Sequence, residues 1–282
     1  MSVFTTMFAS DALSTTVYMT TILPQEKHVR SEASPEMRMG SFKRKYPVLL
    51  LLHDEASSQR ELLYNTNIER FATEYGIAVV IPEGMNGFYC DNFYRDGGDN
   101  ECGATTNAIE ASFSEMRFEQ MIMKEVLPLV QNQFLPIEFA ANNAYVAGIG
   151  MGGFGAMRLA FKYPEVFSKA FSINGYLDIE WMMKNCLGRK EQMDAIFGQA
   201  LDKENNLVYM VREYTNKVGK KPQIAQYWAG DSWVAAMNEN FATAAETYSP
   251  YVKKITSNES GWDYIEKTLK HILTSIRDDS TR

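Results

Sequence analysis

The residues best spaced to do chemistry lie in "YVAGIGMGGFGAMRLA", Tyr145 to Ala160. Gly148, Gly150 and Gly153 satisfy G-x-G-x-x-G, the pattern that lays a dinucleotide pyrophosphate over backbone N–H groups at a helix start. The same letters fit the strand-to-helix turn G-x-S-x-G, which perches a nucleophile at the end of a strand, with Gly150 where the serine would stand. The dinucleotide chemistry also needs an acid at the end of the next strand to hold the ribose. That strand ends "SINGYLD", with Asn174 and Gly175 in place of the acid and Asp178 too far along. The nucleophile turn is therefore the better reading, and it lacks its nucleophile.

Other polar candidates follow apolar runs. His53, Asp54 and Glu55 follow "VLLLL". His53 at a strand end is read as a structural hydrogen-bond anchor, with a general base as the alternative. Asp54 and Glu55 are read as solvated loop charges; in a crevice they could instead activate a water. The Met151 backbone N–H can serve as one donor of an oxyanion hole. Asp96, Asp99 and Glu101 lie close together in "RDGGDNECGA" but without calcium-loop spacing, so they predict a flexible acidic turn and no metal site. No cofactor is expected.

These residues need a scaffold. "VFTTMFAS" and "TTVYMTTILP" predict an antiparallel edge pair, and Gln25 to Lys45 reads as an exposed loop. "VLLLL", "IAVVIP", "AYVAGI", "SKAFSIN" and "PQIAQYWAG" read as strands. Helical spacing fills the intervals: Leu62 to Tyr75 with Gly76 as cap, about Ser112 to Phe134, the run after Gly152, and a last helix striped by Trp262, Ile265, Leu269, Ile272, Leu273 and Ile276. Strands alternating with helices predict an α/β fold, a mostly parallel sheet with helices on both faces. Residues 177–221 break the rhythm and predict a small helical, cap-like insertion within a single domain spanning 1–282.

Composition narrows the function classes. A net charge of −7 without a long basic run argues against a nucleic-acid or anionic-membrane partner. No apolar run reaches the ~20 residues of a membrane-spanning helix, and the N-terminus has no signal-peptide pattern. Cys90, Cys102 and Cys186 are odd in number and not arranged as C-x-x-C, which fits a reducing cytoplasm.

The ordered motifs "LLLLHD", "NTNIERFATEYGIAVVIPEG", "EVLPLV", "AGIGMGGFGAMRLAFKYPEVF", "DAIFG", "WAGD" and "GWDYIEKTL" resemble the putative-esterase family of α/β-hydrolases, nearest to tributyrin esterase and esterase D. The resemblance covers most of the chain. It implies the α/β-hydrolase fold and a Ser-His-Asp triad acting on short esters. At the positions that would carry the triad this sequence has Gly150, then Asp231 or Trp233, then Ser260. Where the family has an H-G oxyanion loop this chain has His53 and Asp54, and a carboxylate there opposes a developing negative charge. The chain's histidines are His28, His53 and His271, none just ahead of "GWDY". The expectation is a pseudoenzyme: a small-ligand-binding protein, or an assembly protein forming homo-oligomers or joining an active relative. The alternative is a short-ester hydrolase using His53, Asp54 or a metal-activated water.

Overall fold

The computed structural model describes residues 2–24, 46–91, 116–133, 144–256 and 261–280. The polar loop at 25–45, the acidic turn, His28, Cys102 and Ser260 lie outside them.

Eight strands form one sheet in the order β1-β2-β4-β3-β5-β6-β7-β8. β1 (Ser2–Ser10) pairs antiparallel with β2 (Thr15–Leu23), and β2 antiparallel with β4 (Ala78–Pro82). From there every neighbour is parallel: β4 with β3 (Val48–Leu52), then β5 (Ala144–Ile149), β6 (Lys169–Ile173), β7 (Gln223–Ala229) and β8 (Tyr251–Thr256). β3 and β5 hold the centre, and both are buried along their whole length. Continuous apolar runs suit this position, because helices cover both faces of a parallel sheet.

On one face lie α1 (Gln59–Asn65), α2 (Ile68–Tyr75) and the terminal α9 (Gly261–Ser280), whose Leu269, Ile272, Leu273 and Ile276 pack with Leu49, Leu51, Val79 and Phe71. The periodicity from Leu62 to Tyr75 is thus carried by two helices, divided at Thr66 and Asn67. Thr66 explains the break: its hydroxyl turns back to the Leu62 carbonyl and accepts from the Ile68 N–H. Gly76 closes α2 in the left-handed conformation.

The other face carries α3 (118–133), whose middle Met121–Val126 is wound as a π-helix, then α4 (Met151–Lys162), and α8 (Ala235–Ala244). Eleven of the twelve residues of α4 are buried, Arg158 among them. Arg158 is tolerated because it is paired: it donates to Glu119 and, through Nε, to Asn205 Oδ1 at 2.6 Å. Glu119 also accepts from Lys162 (2.9 Å) and from the Tyr163 hydroxyl (2.5 Å), so its carboxyl stays below the usual range although burial pushes it up.

Residues between 177 and 221 are helical, as α5 (Ile179–Asn185), α6 (Lys190–Phe197) and α7 (Leu207–Asn216). α7 packs on α4 and α8. Phe197 at the end of α6 stacks edge-on against Phe88 (5.3 Å) and Phe154 (5.6 Å). No helix among the described residues is long and apolar enough to cross a membrane. Cys90 and Cys186 are thiols, and burial pushes Cys90 up to about 12.

Candidate active site at the strand ends

The carboxyl ends of β3, β4, β5 and β6 meet at one place, and the backbone there is unusual. Left-handed φ values occur at Ala56 after β3, at Met85, Phe88 and Tyr89 after β4, and at Asn174 after β6. Such conformations cost about 1–3 kcal/mol each in non-glycine residues, and they persist only where surrounding structure over-determines them. Here the ties are explicit. The Gly150 N–H donates to the Ile173 carbonyl (3.0 Å), and the Gly150 carbonyl accepts from the Tyr176 N–H (3.2 Å). Asn174 Oδ1 accepts from the Ala229 N–H (3.0 Å).

Gly150 itself has φ 53° and ψ −115°, between β5 and the first turn of α4. That is the sharp turn expected from "GIGMGG", with backbone angles only glycine adopts without strain. Close packing fixes its surroundings: a Cβ on Gly152 would stand 2.4 Å from the Leu52 carbonyl oxygen. α4 therefore starts directly against the end of β3, next to Asp54.

The Asp54 carboxylate occupies the space that a side chain at 150 would fill. A Cβ on Gly150 would stand 1.8 Å from Asp54 Oδ1 and 2.3 Å from Oδ2. Oδ1 accepts from the Met151 N–H at 2.9 Å and from the Glu55 N–H at 2.8 Å. The Met151 N–H, expected as an oxyanion donor, is taken by Asp54. Burial pushes the Asp54 carboxyl above its ordinary value, although these two N–H groups pull it down. The Tyr176 hydroxyl is close enough for each group to perturb the other. Burial and then the Asp54 charge push Tyr176 upward.

Glu55 and Asp54 differ from the solvated loop charges expected of them. Only 14 % of the Glu55 side chain is exposed, where it pairs with Arg189 and accepts from Gln192 Nε2 at 2.8 Å. Arg189 also lies over the Tyr176 ring, 5.7 Å from its centroid. These partners come from the segment around α6, whose spacing relative to Glu55 nothing local in the sequence signals.

His53 is fully buried, and its ring reaches the end of β4. Its Nδ1 lies 2.7 Å from the Asp54 carbonyl, which can only accept, so Nδ1 carries a proton. Nε2 lies 2.8 Å from the Gly84 nitrogen and 3.0 Å from Glu83 Oε1, so it accepts from the Gly84 N–H when bare and donates to Glu83 when it carries a proton. Burial raises the Glu83 carboxyl, but a proton on His53 Nε2 outweighs it and holds the carboxyl low. The Tyr89 hydroxyl donates to the His53 carbonyl at 3.1 Å.

Of the two alternatives at the end of β7, Trp233 reaches the site and Asp231 does not. The Trp233 ring lies 5.1 Å from that of Tyr176 and is 55 % exposed, while Asp231 points to solvent. His271 sits far along α9, edge-on to Tyr227. Among the described residues, no three His, Cys, Asp or Glu side chains gather as a metal ion would require.

This arrangement is that of an α/β-hydrolase: a mostly parallel eight-stranded sheet with a sharp glycine turn leading into α4 at its centre. Residues 34–262 match the model of the Esterase family, described as "Putative esterase", and the chain belongs to that family. It is 23% identical to an acetyl esterase of Caldicellulosiruptor saccharolyticus over 68% of each chain. It is 29% identical to an S-formylglutathione hydrolase of Paracoccus denitrificans over 64% of this chain and 62% of that one. Among solved structures, the serine hydrolase FphF of Staphylococcus aureus superposes with a TM-score of 0.77 at 17% identity, with 98% of each chain covered. Mycobacterium tuberculosis MPT51 gives 0.72 at 13% identity, with 99% of each covered.

Proposed function

We propose that this chain is an esterase-family protein without serine-hydrolase chemistry, and that it binds a small neutral acyl or sugar ligand at the strand ends. One observation carries this reading: the Asp54 carboxylate fills the space of a side chain at 150 and takes the Met151 N–H. Serine-type acyl transfer needs a hydroxyl at the turn, a base beside it, and N–H donors aimed at the developing oxyanion. Position 150 offers no hydroxyl. His53 is bonded into the β4 end, and His271 sits by Tyr227. A carboxylate already holding the donor would repel an oxyanion forming there. Triad members act as a unit, so the loss of nucleophile and base together leaves residual catalysis at most.

The ligand class follows from what surrounds Asp54. Trp233 and Tyr176 offer aromatic faces, and Arg189 is already paired with Glu55. Asp54 accepts hydrogen bonds, so a neutral ring or acyl group bearing hydroxyls fits, and an anion does not. The free thiols of Cys90 and Cys186 support a reducing compartment, so the proposed location is the cytoplasm.

The rival reading, hydrolysis by a water that Asp54 activates, has one observation in its favour. Burial raises the Asp54 carboxyl toward the range of a useful base. Hydrolysis of a short aryl ester by the purified protein separates the two. The expected result is wild-type turnover no faster than an albumin blank. Saturable turnover that survives repurification and disappears in Asp54→Asn would overturn the proposal. Ligand binding is read from tryptophan fluorescence with glycosides and short acyl amides, and should be lost in Trp233→Ala.

A further inference from the structure

A second cavity lies away from Asp54, between the β7–β8 edge of the sheet and α9. Its volume is about 250 Å³, and Lys254, Thr256, Tyr264, Lys267 and His271 line it above the Tyr227 ring. Strand alternation places Val252, Lys254 and Thr256 on this face of β8, with Lys253 on the other.

Three features of the cavity point the same way. First, its ionisable lining is cationic, in a protein whose net charge is −7. Second, Lys254 and His271 face the same space from strand and helix. Burial and then the Lys254 charge press the imidazole toward its neutral form. Like charges brought together at a cavity mouth are unfavourable, and a bound anion removes the repulsion. Third, Thr256 Oγ1 is buried with no hydrogen-bond partner among the described residues. A buried hydroxyl without a partner is unfavourable, and a ligand oxygen would supply that partner.

Among the described residues, the carboxylates further along α9 make no ion pair with Lys254 or His271. Asp279 pairs with Lys169 and Asp278 with Arg277, both beside the adjoining cavity that shares Tyr227 and His271. Of the other lining groups, the Tyr227 phenol can also donate, whereas the Thr268 hydroxyl is spent on the Tyr264 carbonyl (2.8 Å). We propose that this cavity binds a small polyvalent oxyanion, with Lys254 Nζ, the His271 imidazole and the Thr256 hydroxyl as donors. A phosphate group and a compact dicarboxylate share that chemistry.

The test follows the imidazole resonances of the purified full-length protein, with His271→Asn assigning the His271 signal. Inorganic phosphate and succinate are titrated separately against chloride at matched ionic strength. The expected result is a saturable His271 shift with at least one dianion, with the His53 signal unmoved. Saturation by phosphate alone assigns a phosphate site, and by succinate alone a dicarboxylate site. Lys254→Gln should weaken binding about tenfold, the loss of one charge-assisted hydrogen bond. Lys253→Gln, on the opposite face of β8, should leave it unchanged. No saturable shift with either anion would overturn the proposal. So would equal weakening by the two lysine variants, which would mark a diffuse surface potential. Should Lys254→Gln prove unstable, Thr256→Val serves as the second variant and should weaken binding in the same direction.

Discussion

Asp54 Oδ1 stands 1.8 Å from the point a Cβ on Gly150 would occupy, so Asp54 and any side chain at 150 exclude each other. The glycine and the aspartate are therefore one feature of the structure: either residue alone would leave a hole or a clash.

Gly150→Ser places a non-glycine residue at φ 53° and drives its Cβ into the Asp54 carboxylate. Strain and overlap together should cost roughly 2–4 kcal/mol. In an Asp54→Ala background the overlap is gone and roughly 1–3 kcal/mol of backbone strain remains. Urea denaturation of the four proteins checks this coupling; equal losses in both backgrounds would contradict it.

The Asp54 carboxyl is raised by burial, so the folded state holds its proton more tightly than the unfolded chain does. The sign follows directly. Stability from this group is complete below the ordinary value of 3.8 and is lost as pH rises through the higher folded value. Asp54→Asn keeps an oxygen for the Met151 and Glu55 N–H groups and removes the charge. Its melting temperature should exceed the wild type's at neutral pH, and the gap should close on acidification toward pH 4. Thermal melts across that range measure it, and a gap that widens at low pH would reverse the argument.

His53→Ala should cost about 3 kcal/mol, because it empties a fully buried site and removes the Nε2 that either accepts from the buried Gly84 N–H or donates to Glu83. If His53 were a general base, the variant would instead keep its stability and lose turnover. Denaturation and ester assays on the same preparation distinguish the two.

Arg158→Ala leaves Glu119 charged, with a side chain only 6% exposed. Breaking one side of a buried pair costs about 3–5 kcal/mol. Lys162 and Tyr163 still touch Glu119, so the lower end of that range is expected. Arg158→Met with Glu119→Gln should recover part of the loss in the same unfolding measurement.

Much of the fold was legible because local pattern and burial agree. "VLLLL", "IAVVIP" and "AYVAGI" are strands with helices on both sides, and a run buried on both faces announces itself by being apolar throughout. The turn at Gly150 was legible for a similar reason, since small residues recur wherever a strand and helix pack backbone to backbone. Two elements carry no such signal. β8, "YVKKIT", is an exposed edge strand whose lysines blur the alternation, and α8, "AAMNENFATA", buries Asn238 among its apolar residues. Asn238 depends on other elements as well as its own turn: its Nδ2 donates to the Gly175 carbonyl and to that of Val234, and its Oδ1 accepts from Gln226.

The sequence by itself determined seven of the eight strands, their alternation with helices and the residue at the turn, because these depend on periodicity and on steric limits of the backbone. It also set His53 and Asp54 at the end of β3. Only the tertiary structure decided which way they face. His53 turns to Glu83 and Gly84, Asp54 turns to Met151, and Glu55 finds Arg189. Those choices depend on where a buried polar group finds its partner, and the partners lie on β4, α4 and the insertion, which only folding brings within hydrogen-bonding distance.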